Sequence, residues 1–116
     1  MHWLTSVRDL GIGTIVCLAT PGELKRYVPA VDTATDLLAL YRRTGFVVHN
    51  HAVQDPAHAP ADTRVRILEQ LEQLKPVVYD EYLSRTGALL IHCSGGMDRA
   101  SPVAAFIAAK ERPNGP

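Results

Sequence analysis

The chain has 116 residues, 47% of them hydrophobic and 21% charged, and its twelve basic side chains balance its twelve acidic ones. This length and composition indicate one small domain with a single hydrophobic core and exclude an intrinsically disordered chain. The balanced charge gives no basic field for nucleic acid or an anionic membrane, and every apolar run is far shorter than the roughly 20 residues that span a bilayer. No secretory signal is expected at the N-terminus. The two cysteines, Cys17 and Cys93, are too few for a disulfide scaffold, which predicts a reducing, cytoplasmic setting.

The first half of the chain predicts helices that alternate with strands. In chain order the segments are a short helix (Trp3 to Leu10), a strand (Thr14 to Leu18), a helix (Asp32 to Thr44) and a second strand (Phe46 to His49). The first strand is short, rich in β-branched residues and not alternately polar, as expected for a strand buried on both faces. Apolar residues recur at helical spacing in the longer helix, and Gly45 can end it.

A loop rich in proline and histidine runs through Ala61 and precedes a long predicted helix, which Asp62 can cap. The core face of this helix is predicted to carry apolar residues at helical spacing: Val65, Leu68, Leu71 and Leu74. Pro76 is expected to kink or break the helix, because proline lacks the N–H donor and its ring clashes with the preceding turn. A further helical piece is predicted from Val77 to about Arg85.

The last third of the chain predicts one more strand and one more helix. Ala88 to Ile91 is an apolar run after Gly87 and is the strongest candidate for the central strand of a sheet. Pro102 to Lys110 follows a glycine-bearing turn and predicts an apolar helix. Strands that alternate with helices indicate one α/β domain over residues 1–116, with a mostly parallel central sheet and helices on both faces.

The residues that carry chemistry follow this last strand directly, in the segment His92-Cys93-Ser94-Gly95-Gly96-Met97-Asp98-Arg99. Gly95 and Gly96 permit a tight loop whose backbone N–H groups can converge on an oxyanion. Those donors and the start of the following helix favour the thiolate of Cys93. Arg99, six positions after the cysteine, supplies a planar fork that can hold two oxygens of a phosphate. The spacing therefore indicates a phosphate-binding loop with a cysteine nucleophile.

This segment matches a His-Cys-x5-Arg signature and resembles the cysteine-dependent protein tyrosine phosphatase superfamily, nearest its compact dual-specificity members, over about Leu10 to Lys110. The resemblance implies a compact three-layer fold and a phosphomonoester hydrolase that works through a cysteinyl-phosphate intermediate without a metal or other cofactor. Cys93 would be the nucleophile, Arg99 the ligand of the transferring phosphoryl group, and His92 a support for loop and thiolate. The phosphate-binding residues would be Ser94, Gly95, Gly96, Met97, Asp98 and Arg99. The expected substrate is a phosphorylated protein or a small phosphomonoester. Among these, phosphotyrosine or another aryl phosphate is the preferred expectation.

Two carboxylates compete for the role of general acid. Asp55 lies in the loop after the second strand, is the one carboxylate there before the next helix, and resembles the acid of dual-specificity members. Asp98 stands directly before Arg99, and this ending resembles phosphoinositide phosphatases of the myotubularin type and bacterial tyrosine/lipid phosphatases. The choice between them stays open, and a phosphoinositide or inositol phosphate is the alternative substrate. In simpler interpretations, Asp55 caps the turn before Pro56 and Asp98 caps the following helix.

The chain departs from the family pattern in several places. The Ser or Thr that usually follows the arginine, and assists hydrolysis of the phosphoenzyme, is replaced by Ala100, with Ser101 one step later. A phosphate-binding pseudophosphatase module is therefore a further alternative, whereas a sulfur-transfer domain of the rhodanese kind is disfavoured because a loop ending in arginine fits a phosphate. The first strands and closing helices of the family are expected to be absent, which predicts a small core, an exposed sheet edge or completion by another subunit.

Other cysteine and histidine residues have simpler interpretations. Cys17 lies in an apolar strand and is expected to pack in the core, with a disulfide that protects Cys93 as the alternative. His49 and His51 share one strand face and, with His58, suggest a metal site. No third ligand with suitable spacing accompanies them, so we expect surface or loop histidines.

Overall fold

The computed structural model describes residues 8–24, 37–94 and 98–112. Its strands are β1 (Ile12–Cys17), β2 (Val47–Asn50) and β3 (Ala88–His92). Its α-helices are α1 (Pro21–Leu24), α2 (Leu37–Thr44), α3 (Ala61–Leu83) and α4 (Ala100–Lys110), and Pro56–His58 form a 3-10 turn. Outside the described residues lie positions 3–7 and 32–36 of the predicted helices and three members of the predicted phosphate-binding loop, Gly95, Gly96 and Met97.

The three strands form one parallel sheet in the order β2-β1-β3. The prediction that Ala88 to Ile91 is the central strand is wrong for this sheet, because β1 lies in the middle. Ile15 of β1 pairs with Val48 on one side and with Leu90 on the other. Residues 15–18 are accordingly inaccessible to solvent, whereas β3 is only half-buried. Since all three strands run in the same direction, their carboxyl ends lie along one edge of the sheet.

Helices cover both faces of the sheet. On one face, α2 packs over a cluster of buried residues: Ile15, Cys17, Ala19, Leu37, Tyr41 and Phe46. On the other face, α3 and α4 enclose a second cluster: Val16, Leu18, Val53, Ile67, Leu71, Val78, Val103 and Ile107. Successive residues of β1 alternate between the two clusters, as the pleat of a strand requires. This arrangement confirms the predicted α/β class.

The start of α3 differs from the prediction. The helix begins at Ala61, with Pro60 in the N-cap position, so Asp62 lies inside the first turn and does not cap it. The Asp62 carboxylate accepts a hydrogen bond from the N–H of Thr63 at 2.9 Å. A negative charge still suits this place, because the first turn of a helix carries the positive end of the helix dipole.

Pro76 is predicted to kink the helix or to break it into two. The predicted break is wrong, because α3 continues through Pro76 to Leu83. A proline inside a helix costs about 3 kcal/mol through the lost hydrogen bond and the ring clash. Leu71 before the proline and Val78 after it are both buried in the same core cluster. Burial of both halves against one sheet face offsets that cost and keeps the helix continuous.

The core face of α3 is rotated from the predicted one. Val65 is 55% exposed and Leu68 48% exposed, so the prediction is wrong for these two residues. Among the α3 residues that belong to the second cluster or pack against it are Ile67, Leu71, Leu74 and Val78. They recur at steps of three and four, as a single helical face requires. Several apolar faces were available on this helix, and the position of the sheet selects one of them.

The bounds of the three strands and of α4 agree with the predictions to within two residues. β1 begins two residues before the predicted strand, and α4 begins at Ala100 instead of Pro102. Gly45 ends α2 with a φ of +104°, a conformation that glycine adopts without strain. Within the described residues, every helix is too short or too polar to span a bilayer. Self-association through a sheet edge stays a prediction.

Candidate active site

Three loops meet at the carboxyl edge of the sheet. Backbone hydrogen bonds continue beyond the strands: the N–H of Leu18 donates to the His92 carbonyl at 2.9 Å, and the N–H of Val53 donates to the Leu18 carbonyl at 3.0 Å. The segment after β1 therefore lies between the segments that follow β2 and β3. These contacts bring the loop of Asp55 and the segment that carries Cys93 to the same edge of the sheet, on either side of the segment after β1.

Cys93 follows β3 directly and is half-buried. Its side chain packs against the cluster beneath α3 and α4, whereas Cys17 is fully buried in the cluster beneath α2. Burial raises the pKa of the Cys17 thiol, so this residue is a packing residue, as predicted. Both cysteines are thiols, and they lie on opposite faces of the sheet.

His92 is held from both sides of its ring. Its Nδ1 lies 3.4 Å from the Cys93 carbonyl, and its Nε2 lies 3.0 Å from the hydroxyl of Tyr41. A carbonyl can only accept, so Nδ1 carries the proton. Burial lowers the pKa of His92, which keeps the ring neutral, and Nε2 then accepts from the Tyr41 O–H. Tyr41, which lies in α2, thus orients the residue next to the predicted nucleophile.

Arg99 stands at the start of α4 and is 1% exposed. Its Nη1 donates to Glu23 Oε1 at 2.7 Å and to the Val53 carbonyl at 2.6 Å. Its Nη2 donates to Glu23 Oε2 at 2.8 Å and to the Ser94 carbonyl at 2.7 Å. One guanidinium thus ties together the loops that follow all three strands, and its four terminal N–H groups all have acceptors within the protein.

Sequence analysis missed Glu23, the partner of Arg99. Its side chain belongs to a capping box, in which the Thr20 hydroxyl accepts from the Glu23 N–H at 3.3 Å and the Glu23 carboxylate accepts from the Thr20 N–H at 2.9 Å. The signal was present, since Thr20-Pro21-Gly22-Glu23 has the S/T-x-x-E pattern of such a box. The local pattern could not show that the same carboxylate faces an arginine 76 positions away.

The two candidate general acids, Asp55 and Asp98, lie in different environments. Asp55 is half-buried and caps the 3-10 turn, since its Oδ1 accepts from the N–H of Ala57 at 3.0 Å. The pKa of Arg99 is raised mainly by its bonds to Glu23, and the charge of Asp55 adds to this effect. Asp98 is adjacent to Arg99 in the chain and is exposed. The capping role of Asp55 is therefore confirmed, whereas its role as the general acid stays a prediction.

Comparison with known proteins identifies the family. A family model described as Cyclin-dependent kinase inhibitor 3 (CDKN3) matches residues 4–110. The chain belongs to the CDKN3 family. Proteins named cyclin-dependent kinase inhibitor 3 from Sus scrofa and Homo sapiens are each 32% identical to it over 102 residues. The crystal structure of a kinase associated phosphatase (KAP), with its catalytic-site cysteine substituted by serine, matches with a TM-score of 0.60 and 26% identity.

The similarity covers most of this CDKN3-family chain but only part of its relatives. The aligned residues are 87% of this chain and 42% of the Sus scrofa and Homo sapiens proteins. The structural match covers 90% of this chain and 51% of the crystallised one. These matches place the chain in the cysteine-dependent protein tyrosine phosphatase superfamily. The resemblance predicted from residues 92–99 is therefore confirmed, as is the predicted fold.

The histidines at the end of β2 in this CDKN3-family chain contact a helix. His51 Nε2 lies 2.8 Å from Glu81 Oε2, and His49 Nδ1 lies 3.3 Å from the same oxygen. Because Glu81 belongs to α3, these contacts join the end of β2 to that helix. Within residues 8–24, 37–94 and 98–112, no group of three side chains is arranged to hold a metal ion. The side chain of His58 lies outside what is described.

The pair of Glu23 and Arg99 predicts a specific dependence of stability on pH. Hydrogen bonds from Arg99 lower the pKa of Glu23 from 4.5 to about 2. Ionised Glu23 therefore stabilises the fold above about pH 4.5, and this contribution is lost as the pH falls through about 2. We expect Glu23→Gln to lower the free energy of unfolding at neutral pH, and this deficit to shrink between about pH 4.5 and 2. Urea unfolding at a series of pH values measures both quantities.

The matched control is Glu69→Gln, which removes an exposed carboxylate from α3. Its free energy of unfolding should stay close to that of the wild type at every pH. Near pH 2 the Glu23 carboxyl becomes protonated and then has the same charge as glutamine. If the loss of unfolding free energy in Glu23→Gln stays constant down to pH 2, the ion pair is not its cause.

Proposed function

We propose that this chain is the catalytic part of a cysteine-dependent phosphatase that removes phosphate from phosphorylated protein side chains. The observation that carries the proposal is that Arg99 donates to the Ser94 and Val53 carbonyls, and so joins the segments of Cys93 and Asp55 at the carboxyl edge of one parallel sheet. The similar crystal structure supports it, since that protein is a phosphatase with a catalytic-site cysteine. The names of the relatives, which refer to kinases, favour a phosphorylated kinase over a phosphoinositide as the substrate.

In the first chemical step, the Cys93 thiolate attacks phosphorus in line with the leaving oxygen. An S–P bond forms while the P–O bond breaks, and Asp55 donates its proton to the leaving oxygen. Arg99 and the loop amides hold the phosphoryl oxygens and balance their charge. The alcohol or phenol departs, and the phosphoryl group stays on the cysteine.

In the second step, the Asp55 carboxylate accepts a proton from water, whose oxygen attacks phosphorus. The S–P bond breaks, and inorganic phosphate and the Cys93 thiolate are released. Ala100 is buried, and the neighbouring Ser101 is exposed, so a methyl group stands where the superfamily resemblance implies a hydroxyl that assists the departing thiolate. We therefore expect this second step to limit turnover.

The proposal is tested with 4-nitrophenyl phosphate under pre-steady-state conditions. We expect a burst of nitrophenol equal to the enzyme concentration, followed by slower steady release, because the first step is faster than the second. Mass spectrometry of acid-quenched enzyme should find a phosphoryl group on Cys93. Binding of phosphate with neither a burst nor a phosphoenzyme would refute a phosphatase and would favour a pseudophosphatase module.

The substrate class is tested by comparing the hydrolysis rates of several phosphate esters at equal concentrations. Phosphotyrosine and phosphothreonine peptides should be hydrolysed faster than a short-chain phosphoinositide or an inositol phosphate. Faster hydrolysis of the inositol compounds would overturn the proposed substrate while leaving the cysteine chemistry intact. The cytoplasmic setting of the chain stays a prediction.

A further inference from the structure

We infer that Arg64 is a positioning residue for the general acid, because it ties the loop that carries Asp55 to α3. This inference rests on the proposed function, since it requires that Asp55 donates a proton to the leaving oxygen. Arg64 is exposed and lies near the start of the helix, which begins at Ala61. It acts through Asp55 and has no direct role at the reacting atoms.

The half of the loop before Asp55 is fixed by the core and by backbone hydrogen bonds. Val53 is inaccessible to solvent and belongs to the cluster beneath α3 and α4. Its backbone N–H and carbonyl are both hydrogen-bonded, the carbonyl to Arg99 at 2.6 Å. One residue earlier, the Ala52 carbonyl accepts from the side chain of Gln70 on α3 at 3.3 Å. The chain therefore reaches Asp55 from a fixed point.

The half of the loop after Asp55 is fixed by Arg64. The Nε of Arg64 donates to the Pro56 carbonyl at 3.3 Å, and its Nη2 donates to the Ala59 carbonyl at 3.2 Å. These two carbonyls belong to the first residue of the 3-10 turn and to the residue that follows it. Among the residues that the structure describes, Arg64 makes every side-chain bond to the carbonyls of this half. One rigid, planar guanidinium thus spans the turn and joins it to α3.

The orientation of the Asp55 carboxylate depends on the position of this turn. Its Oδ1 accepts from the N–H of Ala57 at 3.0 Å, so a shift of the turn would move the carboxylate as well. Because Oδ1 accepts this bond, the proton of the acid form belongs on Oδ2. A general acid works only within hydrogen-bond reach of the leaving oxygen. Loss of the two Arg64 bonds should therefore leave the proton correctly placed for only part of the time.

The test compares the wild type with Arg64→Ala, which removes both donors and keeps a good helix former. The value of kcat/KM is measured for phenyl phosphate and for 4-nitrophenyl phosphate, because it reports the step in which Asp55 donates its proton. We expect a loss of about 10-fold with phenyl phosphate, a part of the roughly 10²–10⁴-fold that a positioned acid supplies. The loss should be smaller with 4-nitrophenyl phosphate, whose leaving group depends less on protonation. The affinity for inorganic phosphate in calorimetry should stay at the wild-type value.

Three further variants separate positioning from other effects. Asp55→Asn has no proton to donate, so adding Arg64→Ala to it should cause no further loss of kcat/KM. The matched control is Arg66→Ala, which removes the same charge from another exposed position of α3 and should leave kcat/KM unchanged for both esters. Arg64→Lys keeps the charge but has one amine in place of the planar fork, and we expect an intermediate loss. If Arg64→Ala does not fold by circular dichroism, Arg64→Lys serves as the test variant.

The possible outcomes distinguish this inference from the proposed function. A wild type that hydrolyses both esters, together with unchanged kinetics in Arg64→Ala, would overturn the role of Arg64 and leave the function standing. The same factor of loss for the two esters, or a further loss in the Asp55→Asn background, would also overturn it, because Arg64 would then act independently of the acid. An equal loss in Arg66→Ala would assign the effect to charge alone and overturn it too. A wild type that neither binds phosphate nor hydrolyses the esters would overturn the proposed function, and the inference with it.

Discussion

Replacement of Cys93 by serine is expected to abolish hydrolysis of 4-nitrophenyl phosphate, with a loss of kcat of roughly 10⁴–10⁶-fold, as for removal of the nucleophile in other enzymes. Serine has nearly the same size, but its hydroxyl stays protonated at neutral pH and does not attack phosphorus as a thiolate does. The bonds of Arg99 do not involve the cysteine side chain. Cys93→Ser should therefore still bind inorganic phosphate in calorimetry.

The matched control for this experiment is Cys17→Ala. Cys17 is fully buried in the other core cluster, so its replacement lowers stability through a small cavity but should leave kcat per folded molecule close to the wild-type value. Hydrolysis by Cys93→Ser at the wild-type rate would exclude Cys93 as the nucleophile. Equal loss of activity in both variants, when both are folded, would exclude a role specific to Cys93.

Replacement of Asp55 by asparagine is expected to lower kcat/KM by roughly 10²–10⁴-fold, the usual scale for a positioned general acid. Asparagine keeps an oxygen that can accept from the N–H of Ala57, so the 3-10 turn that Asp55 caps should persist. The loss should be greater for phenyl phosphate than for 4-nitrophenyl phosphate, because the poorer leaving group depends more on protonation. Kinetics with the two esters measure this difference.

Asp98→Asn serves as both the control and the competing hypothesis. Asp98 is exposed, and we expect its replacement to lower activity less than Asp55→Asn and by the same factor for both esters. A large loss in Asp98→Asn that depends on the leaving group, with little loss in Asp55→Asn, would transfer the acid role to Asp98. Asp55 would then be only the cap of its turn.

Elements that depend on neighbouring residues could be predicted from the sequence. The apolar β-branched run of β1 and the glycine that ends α2 are local signals, and both were found within two residues. The segment 92–99 also carries its chemistry locally, because a cysteine, two glycines and an arginine at that spacing constrain what a loop can bind. Fold class and the candidate nucleophile therefore followed from the chain alone.

Features that depend on distant parts of the chain could not be predicted. The continuity of α3 through Pro76 and the choice of its core face depend on the sheet against which it packs. The position of β1 at the centre depends on pairing with two strands far along the chain. Glu23 reaches Arg99 only because parallel strands bring their carboxyl ends to one edge. The residues within a segment determine the conformation of that segment. The partner of a buried charge depends instead on which distant segments the fold brings together.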